Sequence, residues 1–434
     1  MPDPDWPAPA SPGPLEATVA LPGSKSLTNR FLVIAALASG VSRLRSPLRS
    51  RDTELMAQAL RQLGTGVEDA TTAKGARAPD WIITPATLRG GGRVDCGLAG
   101  TVMRFLPPVA ALCSGAVSFD GDEQARTRPM GAVLDALRDL GVRVHDDGGF
   151  LPFTVHGTGS VVGGRVVMDA SASSQFVSAL LLAGSRFERG VEVVHDGKPL
   201  PSLPHVEMTV EGLRDAGAVV DDSAANAWRV EPGELLPLDV TVEPDLSNAA
   251  PFLAAALVCG GTVRVPGWPH HTTQAGDLLR ELLTQMGAEV VLDSHGLSVT
   301  GSGSVTAFDV DLHDAAELTP VVAALAALAD GPCAIRGVGH IRGHETDRIA
   351  ALRTELEGFG VAVRELEDGL SITPTPLRPH RMRTYADHRM VMAGAVLGLA
   401  APGTVVQDVA TVGKTLPTFT ALWESMLAGL DGPA

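Results

Sequence analysis

The chain has 434 residues, which is enough for about two domains that each bury a core of their own. Its formal net charge of −16 argues against nucleic acid or an anionic membrane as the main partner, so any anion site must be local. Apolar residues make up 45% of the chain and aromatic residues 4%, which is typical of a soluble globular protein and excludes general disorder.

The N-terminal segment and the cysteines narrow the class of protein further. Residues 1–14 are rich in proline and acidic side chains and lack the basic and apolar regions of a signal peptide, so we expect a cytoplasmic protein. The four cysteines form no C-x-x-C pair, which predicts neither a zinc ribbon nor a disulfide framework. His270 and His271 have no acidic or cysteine cluster nearby, so no metal site is expected.

The first strong motif is the segment 21–30, Leu-Pro-Gly-Ser-Lys-Ser-Leu-Thr-Asn-Arg, which leads directly into an apolar stretch. Ser24 or Ser26 can cap a helix here, and Lys25 and Arg30 then lie on or beside its first turn. Free N–H groups and the helix dipole already attract anions at that end. The segment is not a Walker A loop because the first glycine is missing. We therefore expect a phosphate or carboxylate site of another kind.

An apolar segment rich in Ala and Leu recurs six times, and each copy ends in glycine. The closing glycines lie 70 to 75 residues apart, which indicates repeated supersecondary units. A second, amphipathic helix with a C-cap glycine lies between successive copies, and in most an alternating strand follows. The apolar copies are residues 26–40, 100–115, 173–190, 246–260, 316–331 and 388–403. The pattern therefore predicts the order helix, strand, helix, strand in each unit, with the first helix buried.

The six units divide most simply into three plus three. We predict one domain of residues 23–244 and a second domain of residues 1–22 and 245–434. The chain then crosses between them twice, and we predict a hinge near 22–25 and 242–246.

Polar residues gather at the predicted starts of the buried helices. Helix capping explains a Ser or Asp at any one start about as well as function does. Capping does not explain Lys25, Arg104, Gln175 and Arg389, which lie at four different starts. If these starts face a common cleft, they indicate a shared site for anionic groups.

Three further stretches add charge to this set. Arg128 follows another arginine two residues earlier, a spacing that suits an oxyanion. Glu345 and Arg348 lie one helical turn apart, and an internal ion pair explains them slightly better than function when they are taken alone. The chain has only four lysines, and Lys25 and Lys414 both lie between small residues, where a compact, titratable ammonium is a candidate for function.

In order, these motifs resemble those of the 5-enolpyruvylshikimate-3-phosphate synthase family. The match runs from about residue 15 to the C-terminus, and the ordered set is far more specific than any one motif. Its members are residues 21–30, Leu98 to Thr101 with Arg104, Arg128-Pro129, Ser173 to Gln175, Glu345 to Arg348, Asp387 to Met390 and Lys414. The resemblance implies an α/β (α+β), two-domain enolpyruvyl transferase fold with six βαβαββ-like units, three per domain, that closes on its substrates.

The resemblance implies a transferase of the shikimate pathway, which leads to chorismate and the aromatic amino acids. The enolpyruvyl group of phosphoenolpyruvate would pass to the 5-hydroxyl of shikimate 3-phosphate through a tetrahedral intermediate, with release of phosphate. By similarity, shikimate 3-phosphate is expected to bind Lys25, Ser26, Arg30, Ser173, Ser174, Gln175, Ser202, Asp314, His340 and His344. By similarity, phosphoenolpyruvate is expected to bind Lys25, Gly100, Arg128, Gln175, Arg348, Arg389 and Lys414.

The family also implies roles for three catalytic residues. Asp314 is expected to accept the hydroxyl proton, Glu345 to protonate and later deprotonate the methyl carbon, and Lys25 to assist. No metal and no organic cofactor is implied, because the cations of the protein supply the electrostatic stabilisation. We expect small-molecule substrates, no nucleic-acid or membrane partner, and a monomer.

Some positions depart from the pattern of the family. His344 stands where many members have Lys, His340 where many have Asn, and His205 where Tyr is common. Phe105 follows Arg104 in place of a frequent Pro. We expect these changes to shift affinity and pH dependence. Gly100 matches the glycine that is critical for glyphosate, so we expect sensitivity to that compound.

Two alternatives remain at this point. The sister enolpyruvyl transferase that acts on UDP-N-acetylglucosamine usually has a reactive Cys in the loop corresponding to 121–129, which is absent here, and Asn in place of Ser26. A non-catalytic protein that binds sugar phosphates is the other alternative. The complete catalytic set argues against it.

Overall fold

The structure is a computed structural model that describes residues 5–70 and 79–429. The chain splits into two compact units, Gly23–Val242, here called the middle unit, and Met1–Pro22 with Glu243–Ala434, the terminal unit. The sequence prediction places the second crossing two residues later, at 244/245. The predicted hinge at these crossings stays a prediction.

Helices alternate between buried and amphipathic along the described residues. In the middle unit they are α1 (Lys25–Leu37), α2 (Arg51–Gln62), α3 (Gly100–Ala111), α4 (Gly131–Asp139), α5 (Gln175–Gly184) and α6 (Pro204–Asp215). In the terminal unit they are α7 (Leu246–Cys259), α8 (Leu279–Gln285), α9 (Thr319–Ala327), α10 (Arg348–Gly358), α11 (His388–Ala400) and α12 (Phe419–Leu427). The odd-numbered helices are buried on nearly every side, as the sequence predicts.

Each repeat adds a small sheet to its pair of helices. In the second repeat, Arg93–Asp95 pairs in parallel with Ser114–Asp120, so that α3 connects two parallel strands in a βαβ unit. Phe150–Thr158 then pairs antiparallel with Ser114–Asp120, and Arg143–Asp147 forms a hairpin with it. The order β-α-β-α-β-β confirms the predicted repeat.

The same four-stranded pattern recurs in the other repeats. The third sheet contains Gly164–Met168, Val191–His195, Ala227–Val230 and Val220–Asp221. The fifth contains Asp309–Asp311, Cys333–Arg336, Leu370–Thr373 and Ala362–Glu365. The first contains Asp239–Thr241, Ser42–Arg45, Trp81–Thr84 and Gly66–Asp69, and the fourth contains Leu15–Thr18, Gly261–Pro266, Gly296–Gly301 and Glu289–Asp293.

The first strands of the first and fourth sheets come from distant parts of the sequence. Asp239–Thr241, at the end of the middle unit, pairs in parallel with Ser42–Arg45. Leu15–Thr18 pairs in parallel with Gly261–Pro266. The sixth repeat has a three-stranded sheet made of Trp6–Pro7, Val405–Val406 and Arg381–Met382. It is the most divergent copy.

The amphipathic helices end at glycines with positive φ, as predicted. Gly64, Gly141, Gly217, Gly287 and Gly360 have φ between +81° and +108°, a region that costs a residue with a Cβ. In each case the glycine N–H and the next N–H bond back to carbonyls of the last turn. These bonds satisfy the free carbonyl groups of the helix end.

The buried helices form the centre of two separate apolar cores, one in each unit. Their small alanine side chains let neighbouring helices approach closely, while Leu, Val and Phe fill the space between them. None of the helices in residues 5–70 and 79–429 is long and apolar enough to cross a membrane.

Candidate functional site

The N-terminal ends of α1, α3 and α5 are linked by side-chain hydrogen bonds. Asn29 of α1 donates to Thr101 Oγ1 of α3 at 2.7 Å. Arg104 Nη1 of α3 donates to Ser173 Oγ at 3.1 Å and to Gln175 Oε1 at the start of α5 at 3.0 Å. The structure thus brings the polar residues at three helix starts together, and we call them the middle cluster.

Lys25 lies at the exposed edge of the middle cluster. Ser24, not Ser26, is the N-cap of α1, because its hydroxyl accepts from the backbone N–H of Leu27. Lys25 Nζ lies 3.3 Å from Asp52 Oδ2, and its side chain is 21% exposed against 2% for Asp52. Asp52 fixes the position of the ammonium group while leaving it in reach of solvent.

Arg30 is a buried guanidinium whose hydrogen-bond partners are all neutral within residues 5–70 and 79–429. It donates to Thr209 Oγ1 at 2.7 Å, to the carbonyl of His205 at 2.7 Å and to the carbonyl of Ser26 at 3.0 Å. Its guanidinium lies 5.1 Å from the ring centre of Phe105, one of the four residues noted above as departures from the pattern of the resembled family. Burial lowers the pKa of Arg30 to about 9.

Arg128 lies beside Gly100 at the start of α3 and is another buried cation that pairs with no carboxylate among the described residues. Arg128 Nη1 donates to the carbonyl of Leu98 at 3.2 Å, while its Nε has no hydrogen-bond partner there. A Cβ built on Gly100 would lie 3.1 Å from Arg128 Nη2 and 3.3 Å from Nη1. The absence of a side chain at Gly100 therefore leaves room for this guanidinium.

The predicted serines lie around the start of α5 and before α6. Ser173 accepts from the backbone N–H of Gln175 at 3.3 Å, and Ser174 is buried at the N-cap. Ser202 has a φ of +52°, and its carbonyl accepts from the N–H of His205, whose own carbonyl binds Arg30. Ser202 is thus connected to Arg30 through hydrogen bonds of one intervening residue, His205.

A second cluster, the terminal cluster, lies in the terminal unit around Glu345. One carboxylate oxygen of Glu345 accepts from Lys414 Nζ, and the other accepts from Arg348 Nη2 at 2.9 Å. Arg348 also donates to both oxygens of Asp387, at 2.7 and 3.2 Å. The exposed fraction is 9% or less for all four side chains. Two carboxylates and two cations therefore form one buried network.

The pKa values of Arg348 and of Arg389, at the start of α11, shift in opposite directions. Burial by itself would lower the pKa of Arg348, but the carboxylates of Asp387 and Glu345 outweigh it and raise that pKa above the ordinary arginine value. Burial lowers the pKa of Arg389, and the nearby carboxylate of Asp245 compensates only in part. Arg389 Nη1 donates to the carbonyl of Ser247 at 3.0 Å, a neutral partner.

Asp314 and the predicted histidines lie in the same unit. The carboxylate of Asp314 is exposed, on the turn before the 3₁₀ helix Ala316–Leu318. The rings of His313 and His340 lie 5.6 Å apart, and those of His340 and His344 lie 6.0 Å apart. His344 Nδ1 lies 3.2 Å from Arg348 Nη1, which can only donate, so this contact requires a His344 without a proton on Nδ1.

Sequence reasoning left out several residues that hold these clusters. Asp52 and Asp387 are the buried carboxylate partners of Lys25 and Arg348, and neither was assigned a role in the site. Arg104 was noted at a helix start but was not placed among the ligands, although it orients Ser173 and Gln175. The motif around Asp387 was the one available signal for that residue.

Solved structures of known proteins establish the fold class as that of the enolpyruvyl transferases. An EPSP synthase from Acinetobacter baumannii matches with a TM-score of 0.79 and 24% identity, over 97% of each chain. The enolpyruvyl transferase NikO from Streptomyces tendae matches with a TM-score of 0.76 and 19% identity, over 96% of each chain. At these identities the likeness shows the fold alone.

Sequence comparison then gives the family. A family model described as EPSP synthase (3-phosphoshikimate 1-carboxyvinyltransferase) matches residues 9–423. The curated 3-phosphoshikimate 1-carboxyvinyltransferase of Kocuria rhizophila is 56% identical over 434 aligned positions, which cover 98% of this chain and 97% of that protein. The chain belongs to the EPSP synthase family. The predicted family and enzyme class are confirmed, and the alternative that acts on UDP-N-acetylglucosamine is not supported.

Proposed function

We propose that this chain transfers the enolpyruvyl group of phosphoenolpyruvate to the 5-hydroxyl of shikimate 3-phosphate and releases phosphate. One structural observation supports the proposal independently of family membership. Arg30 and Arg128 are buried cations that pair with no carboxylate in the described part of the chain. A buried charge without a counter-charge is costly, so these positions favour anionic ligands that supply it. Both substrates carry a phosphate and a carboxylate.

The residues proposed to bind each substrate follow the family pattern. For shikimate 3-phosphate they are Lys25, Ser26, Arg30, Ser173, Ser174, Gln175, Ser202, Asp314, His340 and His344. For phosphoenolpyruvate they are Lys25, Gly100, Arg128, Gln175, Arg348, Arg389 and Lys414. Arginine suits these ligands because its planar fork binds two oxygens of a phosphate or carboxylate at once.

The proposed reaction is an addition followed by an elimination. The 5-hydroxyl oxygen bonds to C2 of phosphoenolpyruvate as Asp314 takes the hydroxyl proton and Glu345 protonates the methylene carbon. The C2–O bond to phosphate then breaks, phosphate leaves, and Glu345 takes a proton back from the methyl group. Lys25 and Lys414 stabilise the negative charge that develops. The predictions that no metal or organic cofactor takes part stay predictions.

The localisation and assembly predicted from the sequence also remain proposals. We propose that the protein is a monomer and that it acts in the cytoplasm. Analytical ultracentrifugation of the purified chain and fractionation of the source cells test the two statements separately.

The substrate is tested by phosphate release from phosphoenolpyruvate. The purified chain receives shikimate 3-phosphate in one reaction and UDP-N-acetylglucosamine in another. We expect release only with shikimate 3-phosphate. Release only with the UDP-sugar would overturn the substrate, and release with neither would favour a non-catalytic binding protein.

Replacing Gly100 by Ala tests the proposed phosphoenolpyruvate site. The added Cβ would press on the Arg128 guanidinium, and overpacking of this kind typically costs about 1–3 kcal/mol. We expect the KM for phosphoenolpyruvate to rise about tenfold or more, with a KM for shikimate 3-phosphate that changes little. We also expect glyphosate to inhibit the parent enzyme and to inhibit Gly100→Ala less.

Gly131→Ala is the matched control for this variant. Gly131 is the first residue of α4, as Gly100 is of α3, but a Cβ there would meet no atom within 4 Å. We expect its kinetic constants to equal those of the parent. An equal rise in KM for both variants would show that Gly100 has no special relation to the site.

A further inference from the structure

The turn that leads into α11 has an unusual backbone conformation. Tyr385 and Ala386 both have a φ of +55°, in the left-handed region that residues with a Cβ rarely adopt. Such residues persist where surrounding contacts impose the conformation. Asp387 follows at once, caps α11 and pairs with Arg348. The turn therefore sets the position of a central carboxylate of the terminal cluster.

Glu355 is the carboxylate that holds this turn. It is 1% exposed, and its Oε1 accepts from the Tyr385 hydroxyl at 2.5 Å. Its Oε2 accepts from the backbone N–H of Arg383 at 3.1 Å and lies 2.9 Å from His380 Nε2. Arg383 Nε lies 3.5 Å from Oε1. One buried carboxylate thus binds three residues within six positions of the chain.

The geometry of α10 explains why Glu355 and the terminal cluster act on the same segment. Glu355 lies seven residues after Arg348, so two helical turns place both side chains on one face of α10. Arg348 binds the segment at Asp387, and Glu355 binds it at Tyr385. The strained residue Ala386 lies between these two attachments. A single helix therefore fixes the turn from both sides with charges of opposite sign.

We propose that Glu355 is a positioning residue for phosphoenolpyruvate binding. Through the Tyr385 hydroxyl it holds the turn that places Asp387, and through Asp387 it places Arg348 and the start of α11 with Arg389. The role is indirect, since Glu355 acts through the turn and not on the reacting atoms. The inference rests on the proposed function, in which Arg348 and Arg389 bind phosphoenolpyruvate.

The kinetic test uses Tyr385→Phe, which removes one hydroxyl, and Glu355→Gln, which removes the charge. We expect each to raise the KM for phosphoenolpyruvate about tenfold, because Tyr385→Phe removes a hydrogen bond to a charged group and Glu355→Gln replaces one acceptor by a donor and leaves the other uncharged. The kcat and the KM for shikimate 3-phosphate should stay within about twofold of the parent. A merely structural role would lower the active fraction, and so the apparent kcat, without moving this KM.

Thr354→Val is the matched control. Thr354 is the neighbour of Glu355 on α10, and its hydroxyl donates only to the carbonyl of Ala350, at 2.8 Å. The substitution removes a hydroxyl from the same helix without touching the turn. We expect no change in the KM for phosphoenolpyruvate.

A second measurement does not depend on activity. Tyr385 is the single tyrosine of the chain, so an ultraviolet absorbance titration reports on it alone. Burial, together with the hydrogen bond to Glu355 and its charge, raises the pKa of Tyr385 to about 12. Glu355→Gln should lower this pKa toward its ordinary value, and Thr354→Val should leave it unchanged.

The kinetic test and the titration together distinguish failure of the proposed function from failure of the positioning role of Glu355. If the parent releases no phosphate with its two substrates, the proposed function fails, and the titration alone decides whether Glu355 holds Tyr385. In an active parent, an unchanged KM for phosphoenolpyruvate in both variants overturns the positioning role. A Tyr385 that titrates in the ordinary range in the parent overturns it as well.

Discussion

Glu345→Gln is expected to lower kcat by about a thousandfold, because a carboxylate that moves protons to and from carbon is replaced by an amide that cannot. In the structure this carboxylate lies between Lys414 and Arg348, which both donate to it. Removing its charge takes a carboxylate away from both cations, although Arg348 keeps its pair with Asp387, so the two can bind an anion more readily. We therefore expect the KM for phosphoenolpyruvate to stay equal or fall. Steady-state kinetics with each substrate varied in turn measures both constants.

Glu365→Gln serves as the control for this prediction. Glu365 also pairs with a cation in the terminal unit, because its Oε1 lies 2.7 Å from Arg342 Nη1. Its side chain is 29% exposed, however, and it lies on a strand outside the proposed site. Its kcat should lie within about twofold of the parent. A Glu345→Gln enzyme that keeps more than about a tenth of the parent kcat would contradict a role in proton transfer.

Asp387→Asn is expected to lower the unfolding free energy of the terminal unit by about 3 kcal/mol. The side chains of Asp387 and Arg348 are 0% and 3% exposed, so loss of the negative charge removes the bidentate partner of a buried guanidinium and leaves Glu345 as its remaining ion-pair partner among the described residues. Asparagine keeps the shape and can still cap α11. Urea unfolding followed by fluorescence, with each transition fitted separately, gives the change in free energy.

An exposed pair of the same geometry is the control for this stability effect. Arg336 donates to both oxygens of Asp309 at 2.9 Å, but the two side chains are 53% and 59% exposed. Asp309→Asn should change the unfolding free energy by less than about 1 kcal/mol, since water screens such pairs. Equal losses for the two variants would show that burial does not decide the strength of the Asp387 pair.

The repeats and the helix ends were predictable because they are local and periodic. A C-cap glycine such as Gly141 is visible in the sequence next to the helix that it ends, and its positive φ follows from that position. The spacing of the six apolar segments likewise needs no tertiary information. The family resemblance then supplied the candidate ligands, whose roles remain to be tested.

The supporting carboxylates were not predictable in the same way. Asp52 is 27 residues from Lys25, and Glu355 is 30 residues from Tyr385, so only the packed structure brings each pair together. In the sequence, each reads as an ordinary polar residue of an amphipathic helix. Their burial depends on which helix face meets which loop, and periodicity does not specify that.

The strand Leu15–Thr18 has a consequence for how the chain is made. It completes a sheet with Gly261–Pro266, and the indole of Trp6, earlier still, donates to Glu424, 418 residues away in sequence. A ribosome delivers the chain from its N-terminus, so residues 5–22 are synthesised before the middle unit and must wait until residues 261–266 and Glu424 have followed it. The middle unit has all its strands as soon as it leaves the ribosome. The terminal unit therefore completes its fold last, and its earliest residues spend the longest time without their partners.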